Sequence, residues 1–478
     1  MVRFDRFARG VILPGVVACL FAAATIASLA PPAVAQFSIG DFQARPFVVG
    51  IIPVVGPRGA VGGVSIDARG AVSRSTLEET RKLSDLRRRA LAAGDRQLAA
   101  GSDLRKVSLR GLLAELDRLR REARPLTDEL QNVAGLTRIE YVLVYPEQHD
   151  LVLAGPAEAW QVEDGGAVVG RTTGRPILQL DDLIVALRTA RKQPETGELI
   201  TCSIDPTDEG SRRFARLSKT LNPPLSKTAQ ARLEDAIGPQ QVSITGIAPG
   251  SHFAHVLVAA DFEMKLLGMD LEKAPVDDLP SYLDLLKTAS GPLPATHSPR
   301  WWMSPKYGPI LRDEDSLAWQ IRGAIVETLS EDGFQRRHGA VDDRRASDNS
   351  LAKKWADSMT AEYESLAARL PVFAELRNCM ELAVVGALIT HHDLAARADC
   401  DLRLLWDEKQ LPVAQYNVPK TLASRASLVR RDREWIVSVS GGVAIDSWEV
   451  LKKVDVQADL ADVRAKASAS KPERWWWD

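Results

Sequence analysis

Residues 372–392 read as one helix, and its stretch ELAVVGALI (381–389) is apolar on nearly every side. A helix without a polar face has to be buried. The chain must therefore wrap other elements around it. With 478 residues, 45% of them hydrophobic, it has material for two or three ordinary cores. A second helix, at about 350–370, precedes the apolar one.

Strand signals surround these helices. Ile139 to Val144 and Leu151 to Leu153 are β-branched and apolar, with Pro146 to Asp150 as the turn between them. Val168-Val169 and Pro176 to Leu178 are shorter strand pieces. A helix opens at Asp181-Asp182-Leu183, and Leu199 to Ile204 is another strand. Asp205-Pro206-Thr207 caps the next helix, with Asp208 and Glu209 placed where the helix dipole favours anions. Residues 221–238 read as a Pro-opened helix joining domains, and Pro249-Gly250-Ser251 caps a helix running to about Met264. A short helix is expected near Leu279 to Lys287. Residues 300–329 read as β, with Trp301, Trp302 and Trp319 for packing, and 331–350 as an exposed charged loop. Gly62 to Asp67 and Gly441 to Asp446 share the pattern GGVxID, either as related hairpins of one sheet or by coincidence.

Residues 75–133 look helical. Ser75 and Thr76 stand three residues before Glu78 and Glu79, a capping-box spacing, and Leu109, Leu112, Leu113, Leu116 and Leu119 form one face. Between 81 and 124, thirteen basic residues stand against six acidic ones. Arg87, Arg88 and Arg89 are the densest group, suited to an anionic partner or to a solvated, salt-bridged surface.

The N-terminus has the order of a secretory signal. Three arginines within residues 1–10 precede an apolar run over 11–30, and Ala33-Val34-Ala35 closes it with small residues. Cleavage is expected after Ala35, leaving Gln36 first and no transmembrane helix. The formal charge of −2 becomes −4 once the leader's three arginines and one aspartate are removed. That balance argues against nucleic acid as a partner. Of four cysteines, Cys202, Cys379 and Cys400 survive cleavage. They fit buried thiols, with a Cys379–Cys400 disulfide as the alternative.

Chemistry-bearing groups are few. His252 and His255 share a helix face and could give a metal two ligands, although no third is evident. His391, His392 and Asp393 follow the apolar helix and offer a base and a carboxylate, or simply bond its last carbonyls. There is no nucleophile elbow, phosphate loop, dinucleotide fingerprint or H-E-x-x-H motif, so no cofactor is expected. Trp475, Trp476 and Trp477 end the chain as an apolar patch. They suit docking to an envelope protein, a glycan or a membrane surface, or folding back onto the chain.

Six stretches carry a resemblance: YVLVYPEQHDLVLAGPAEAW (141–160), GRPILQLDDLIVALR (174–188), CSIDPTDEG (202–210), HFAHVLVAADFEMKLLGMDLE (252–272), RWWMSPKY (300–307), and KWADSMTAEY with ELRNCMELAVVGALI (354–363 and 375–389). Together they resemble the domain-of-unknown-function family 1598, found in exported proteins of planctomycete bacteria. The resemblance implies an envelope protein and transfers no catalytic residue.

These readings give an α+β, multi-domain chain with small mixed sheets packed by helices and a helical C-terminal region. The segments are a signal peptide (1–35), an N-terminal β segment (36–74), a basic helical segment (75–134) and an α+β domain (135–220). An α+β domain with Trp-rich strands (221–345), a helical region ending in a β hairpin (346–462) and a flexible Trp-rich tail (463–478) complete it. The expected function is a non-catalytic binding or scaffolding protein of the periplasm or exterior. The alternative is a periplasmic enzyme, possibly a metal-dependent hydrolase.

Overall fold

The structure is a computed structural model describing residues 60–61, 64–66, 72–74, 98, 100–163, 167–221, 226–290, 299–323, 325–338, 350–431, 433–468 and 474–478. The signal segment and Arg87, Arg88 and Arg89 lie outside these residues. Strands β1 (Ala60–Val61), β2 (Val64–Ile66) and β3 (Val72–Arg74) form a small antiparallel sheet of their own. β2 and β3 realise the strand–turn–strand pattern expected there.

Two larger mixed sheets organise the rest. The seven-stranded sheet runs β19 (Val454–Val456), β12 (Ile310–Arg312), β13 (Ala318–Gln320), β5 (Tyr141–Tyr145), β6 (Asp150–Ala157), β4 (Ser102–Ser108) and β20 (Trp476–Trp477). The six-stranded sheet runs β14 (Ile325–Ser330), β11 (Arg300–Lys306), β18 (Ser440–Ile445), β9 (Ile200–Asp205), β10 (Gln240–Thr245) and β15 (Thr421–Leu422). Hairpins β7 (Trp160–Val162) with β8 (Val168–Gly170) and β16 (Ser427–Arg431) with β17 (Arg433–Val437) stand apart. The α+β class holds, with small mixed sheets and interleaved helices.

The sheets do not follow the segment boundaries expected from sequence. β5, β6 and β9 are close in the chain, yet β9 belongs to the other sheet. Each large sheet takes strands from both sides of residues 220 and 345, because its central strands need hydrogen-bonding neighbours wherever the chain supplies them. The two GGVxID segments are likewise separate. β2 sits in the small sheet, while β18 lies between β11 and β9. The β18 glycines answer to that position: a Cβ on Gly441 would fall 1.9 Å from the Trp301 carbonyl oxygen, and one on Gly442 1.8 Å from that of Cys202.

The leucine stripe is where its spacing puts it. Leu109, Leu112, Leu113, Leu116 and Leu119 are the buried face of the Leu109–Arg121 helix. Each such leucine stabilises the packing by roughly 2 kcal/mol. The helix starts on Ser108, whose Oγ accepts the Gly111 N–H. The expectation of continuous helix before it fails, since residues 102–108 are β4. Strand β4 buries Arg105 and Val107 against the sheet, and a strand exposes alternate residues in a way a helix does not. The loop expected at 331–350 also opens with a helix, Glu331–Arg337.

The apolar helix is Pro371–His391, buried along its length from Val372 to Ile389. It packs against the Leu180–Thr196 and His252–Gly268 helices. Gly386 makes the first contact close, as a Cβ there would lie 2.9 Å from the Ala186 carbonyl oxygen. Polar groups inside the helix serve its neighbours. Glu381 accepts the Ile139 N–H at 2.5 Å, and the Asn378 side chain donates to the Pro176 carbonyl at 2.9 Å. Among the described residues, no helix is long and apolar enough to cross a membrane.

The tail expected to be flexible is ordered where it is described. Leu460–Ala467 is a helix, and β20 pairs antiparallel with β4. Trp475, Trp476 and Trp477 are all buried, because six rings' worth of apolar surface gains more from contact than from water.

Candidate functional site

A cluster of polar side chains forms where the Leu180–Thr196 and His252–Gly268 helices meet the chain around residues 413–416. Ser251 caps the second helix: its Oγ accepts the Ala254 N–H at 3.1 Å and donates to the Ala248 carbonyl at 2.7 Å. This puts His252 at the helix start, facing the first turn of the other helix. There the Asp182 carboxylate lies 2.8 Å from His252 Nδ1. Both side chains are largely buried, with 6% of Asp182 and 13% of His252 exposed.

The neighbouring carboxylate fixes the loop. Asp181 Oδ2 accepts the Ala414 N–H at 3.0 Å, and the Tyr416 N–H donates to the Gly250 carbonyl at 2.7 Å. Burial pushes the Asp181 carboxyl up, against the pull of the Ala414 N–H. The Tyr416 ring is edge-on to both histidines, with centroids 5.1 Å from His252 and 5.8 Å from His255.

His255 sits one turn beyond His252 and is fully buried. Neither of its ring nitrogens has a hydrogen-bond partner among the described residues, and nor does Asp182 Oδ1. Burial, aided by His252, lowers the His255 imidazole to about 3, so it is neutral at ordinary pH. The two histidines thus play different parts. Asp182 orients His252, whereas His255 belongs to the core. The described residues contain no group of three His, Cys, Asp or Glu side chains set to hold a metal ion.

The other candidates are dispersed. His391 and His392 end the apolar helix as expected, and their rings lie on tryptophans: His392 is 4.3 Å from Trp319, and His391 is 5.0 Å from Trp448. Burial lowers His392 to about 4. Asp393 is exposed and opens the next short helix at φ 50°. The three cysteines among the described residues, Cys202, Cys379 and Cys400, are free and buried, and burial pushes each thiol up. None is therefore poised as a thiolate nucleophile.

Two further ionic centres join distant elements. Lys265 Nζ donates to Asp261 Oδ2 at 2.8 Å, to the Ile204 carbonyl at 2.8 Å and to the Gly441 carbonyl at 3.1 Å. All three ammonium donors are used, and they tie the His252–Gly268 helix to β9 and β18. Arg105 does the same for the chain's last residues. Its Nε donates to Asp478 Oδ1 at 2.7 Å, Nη1 to the Ala134 carbonyl at 2.8 Å, and Nη2 to the Ala100 carbonyl and Asp478 Oδ2, both at 3.1 Å. Trp476 stacks on this guanidinium at 4.8 Å and donates its indole N–H to Glu129.

The sequence presents Asp182 in a helix opening, beside Asp181, and singles out neither Tyr416 nor Arg105. For the Asp261–Lys265 pair, the spacing of four residues within one helix is a signal the sequence displays. No curated protein and no solved structure matches this chain. Residues 202–282 match a family model described as "Protein of unknown function (DUF1598)". The matched part holds His252, His255, Asp261 and Lys265, and over it the chain resembles that family.

Proposed function

We propose that the chain is an exported protein of the cell envelope that binds or scaffolds other envelope components without catalysing a reaction. The charged, apolar and small-residue order of residues 1–35 supports export. The observation that carries the non-catalytic reading is the use of the buried ionic groups. Lys265, Glu381 and Arg105 each bond backbone atoms of other elements, and Asp182 with His252 clamps two helices. Such groups hold a rigid body together. The outer face of the Leu109–Arg121 helix is a charged surface in which Arg118 pairs with Glu115 and Glu122, and Arg120 with Asp117. Its partner class is an envelope protein, a glycan or a membrane surface, with no nucleic acid.

The test starts from cells expressing the full chain. An envelope-fraction protein beginning at Gln36, with proximity labelling of defined envelope components, is the expected result. An intact Met1 in the cytosol, or no reproducible neighbours, would overturn the reading.

One observation favours a periplasmic hydrolase instead. A carboxylate-oriented imidazole, as in Asp182–His252, is the base half of a nucleophile-activating constellation. Turnover of ester or amide substrates that disappears in His252→Ala while the fold is retained would establish that alternative.

A further inference from the structure

The last residues occupy a groove whose polar contacts come mostly from the stretch between Arg105 and Glu129, and in which Trp477 packs with Leu143, Tyr145, Val152, Leu311, Ala318 and Leu460. Arg105 and Glu129 bond the tail's side chains, the Ala100 and Ala134 carbonyls hold the Arg105 guanidinium, Ser108 N–H donates to the Trp475 carbonyl at 2.8 Å, and Gly111 lies under Trp475. The Ala467 carbonyl accepts the Trp477 indole N–H at 3.3 Å. The occupant arrives from 373 residues away. It adds a strand of only two residues to the edge of a sheet, in the register Trp476 with Val107 and Trp477 with Lys106.

This is the anatomy of a peptide bound by β-augmentation: main-chain pairing at a strand edge, with pockets for the side chains. The groove reads specific features. A fully buried guanidinium takes an aspartate with two hydrogen bonds, a glycine leaves room for the Cα and Cβ of Trp475, and a carboxylate takes the indole N–H of the next residue.

We propose that this groove is an exchangeable docking site for a Trp-Trp-Trp-Asp strand, filled within one chain by residues 475–478 and between chains by the same segment of a second copy. The two copies would exchange tails reciprocally, so that both grooves stay filled and the assembly closes with two-fold symmetry. A second copy is the occupant that fits, because the groove already matches this sequence residue for residue. Within one chain the tethered tail competes at an effective concentration on the order of millimolar, so exchange shows only when that tail is released. The proposal concerns the purified chain and does not depend on export.

The experiment uses the chain from residue 36 and a version lacking residues 474–478. Refolded at rising protein concentration, the longer chain should give a growing dimer fraction by sedimentation, and the shortened chain should stay monomeric. A labelled peptide Arg-Trp-Trp-Trp-Asp should bind the shortened chain saturably and raise its thermal midpoint. The same peptide with alanine for aspartate should bind at least about tenfold more weakly. If the shortened chain does not fold alone, refolding it with the peptide should restore a cooperative melt. A longer chain that is monomeric at every concentration, or a shortened chain that neither binds nor is rescued by the peptide, would overturn the proposal.

Discussion

The guanidinium of Arg105 is fully buried and meets the carboxylate of Asp478, 373 residues later, at 2.7 Å and 3.1 Å. The pair closes the edge of the seven-stranded sheet over a cation that would otherwise be left short of anionic partners.

Asp478→Ala removes the carboxylate and leaves Arg105 with the Ala134 and Ala100 carbonyls. A buried charge that loses a partner costs about 1–3 kcal/mol. Asp478 is itself 43% exposed, and solvent screening places the loss in the lower half of that range. Urea unfolding should show the midpoint falling with the m-value unchanged. An unshifted midpoint would mean that the pair is decorative.

Gly111→Ala sets two effects against each other. Alanine in a helix interior is favoured over glycine by about 1 kcal/mol. Here the new Cβ would sit 2.9 Å from the Trp475 Cβ, so the tail or the helix must move. We expect net destabilisation in the 36–478 chain and net stabilisation once residues 474–478 are removed. Thermal melts of the four proteins read this reversal directly, and the same sign in both backgrounds would refute it.

His255→Leu should not weaken the protein. The imidazole is buried with both nitrogens unbonded among the described residues, and such an orphan polar group costs about 1–3 kcal/mol. Leucine is close in volume and a better helix former. Chemical denaturation should show equal or greater stability. A large loss of stability would point instead to a polar partner that His255 serves.

Asp261 and Glu381 set a pH dependence. Burial pushes both carboxyls up to about 7, against the pull of Lys265 on Asp261 and of Arg138 on Glu381. In the unfolded chain both ionise near pH 4. Between those values the folded protein holds protons that the unfolded chain has released. These two groups therefore make stability fall as pH rises from about 4 to about 7, and they add no slope above that. Asp261→Asn with Glu381→Gln should flatten that slope, as measured by urea midpoints across the range. An unchanged profile would assign the slope to other groups.

Local pattern was enough for most elements. The five leucines of the Leu109–Arg121 helix, the apolar Pro371–His391 helix and strands β5, β6 and β9 all answer to side-chain spacing, which the sequence displays without any tertiary partner. Caps such as Thr207 and Ser251 were legible for the same reason, since each side chain bonds an amide only three residues away. The three free, buried cysteines match the reading of apolar-like thiols.

Tertiary structure decided everything that depends on a partner far along the chain. Residues 102–108 became a strand because a sheet edge was there to accept them, overriding the helical reading of their surroundings. The tryptophans of residues 475–477 became a strand's buried side chains because Arg105, Gly111 and Glu129 form their site, and no feature near the tail announces residues so distant. The same holds for Asp182 and His252, 70 residues apart, whose pairing depends on how two helices cross. Spacing fixes which face a side chain takes. Which group it meets there is set by long-range packing, where desolvation and hydrogen bonding are settled jointly across the fold.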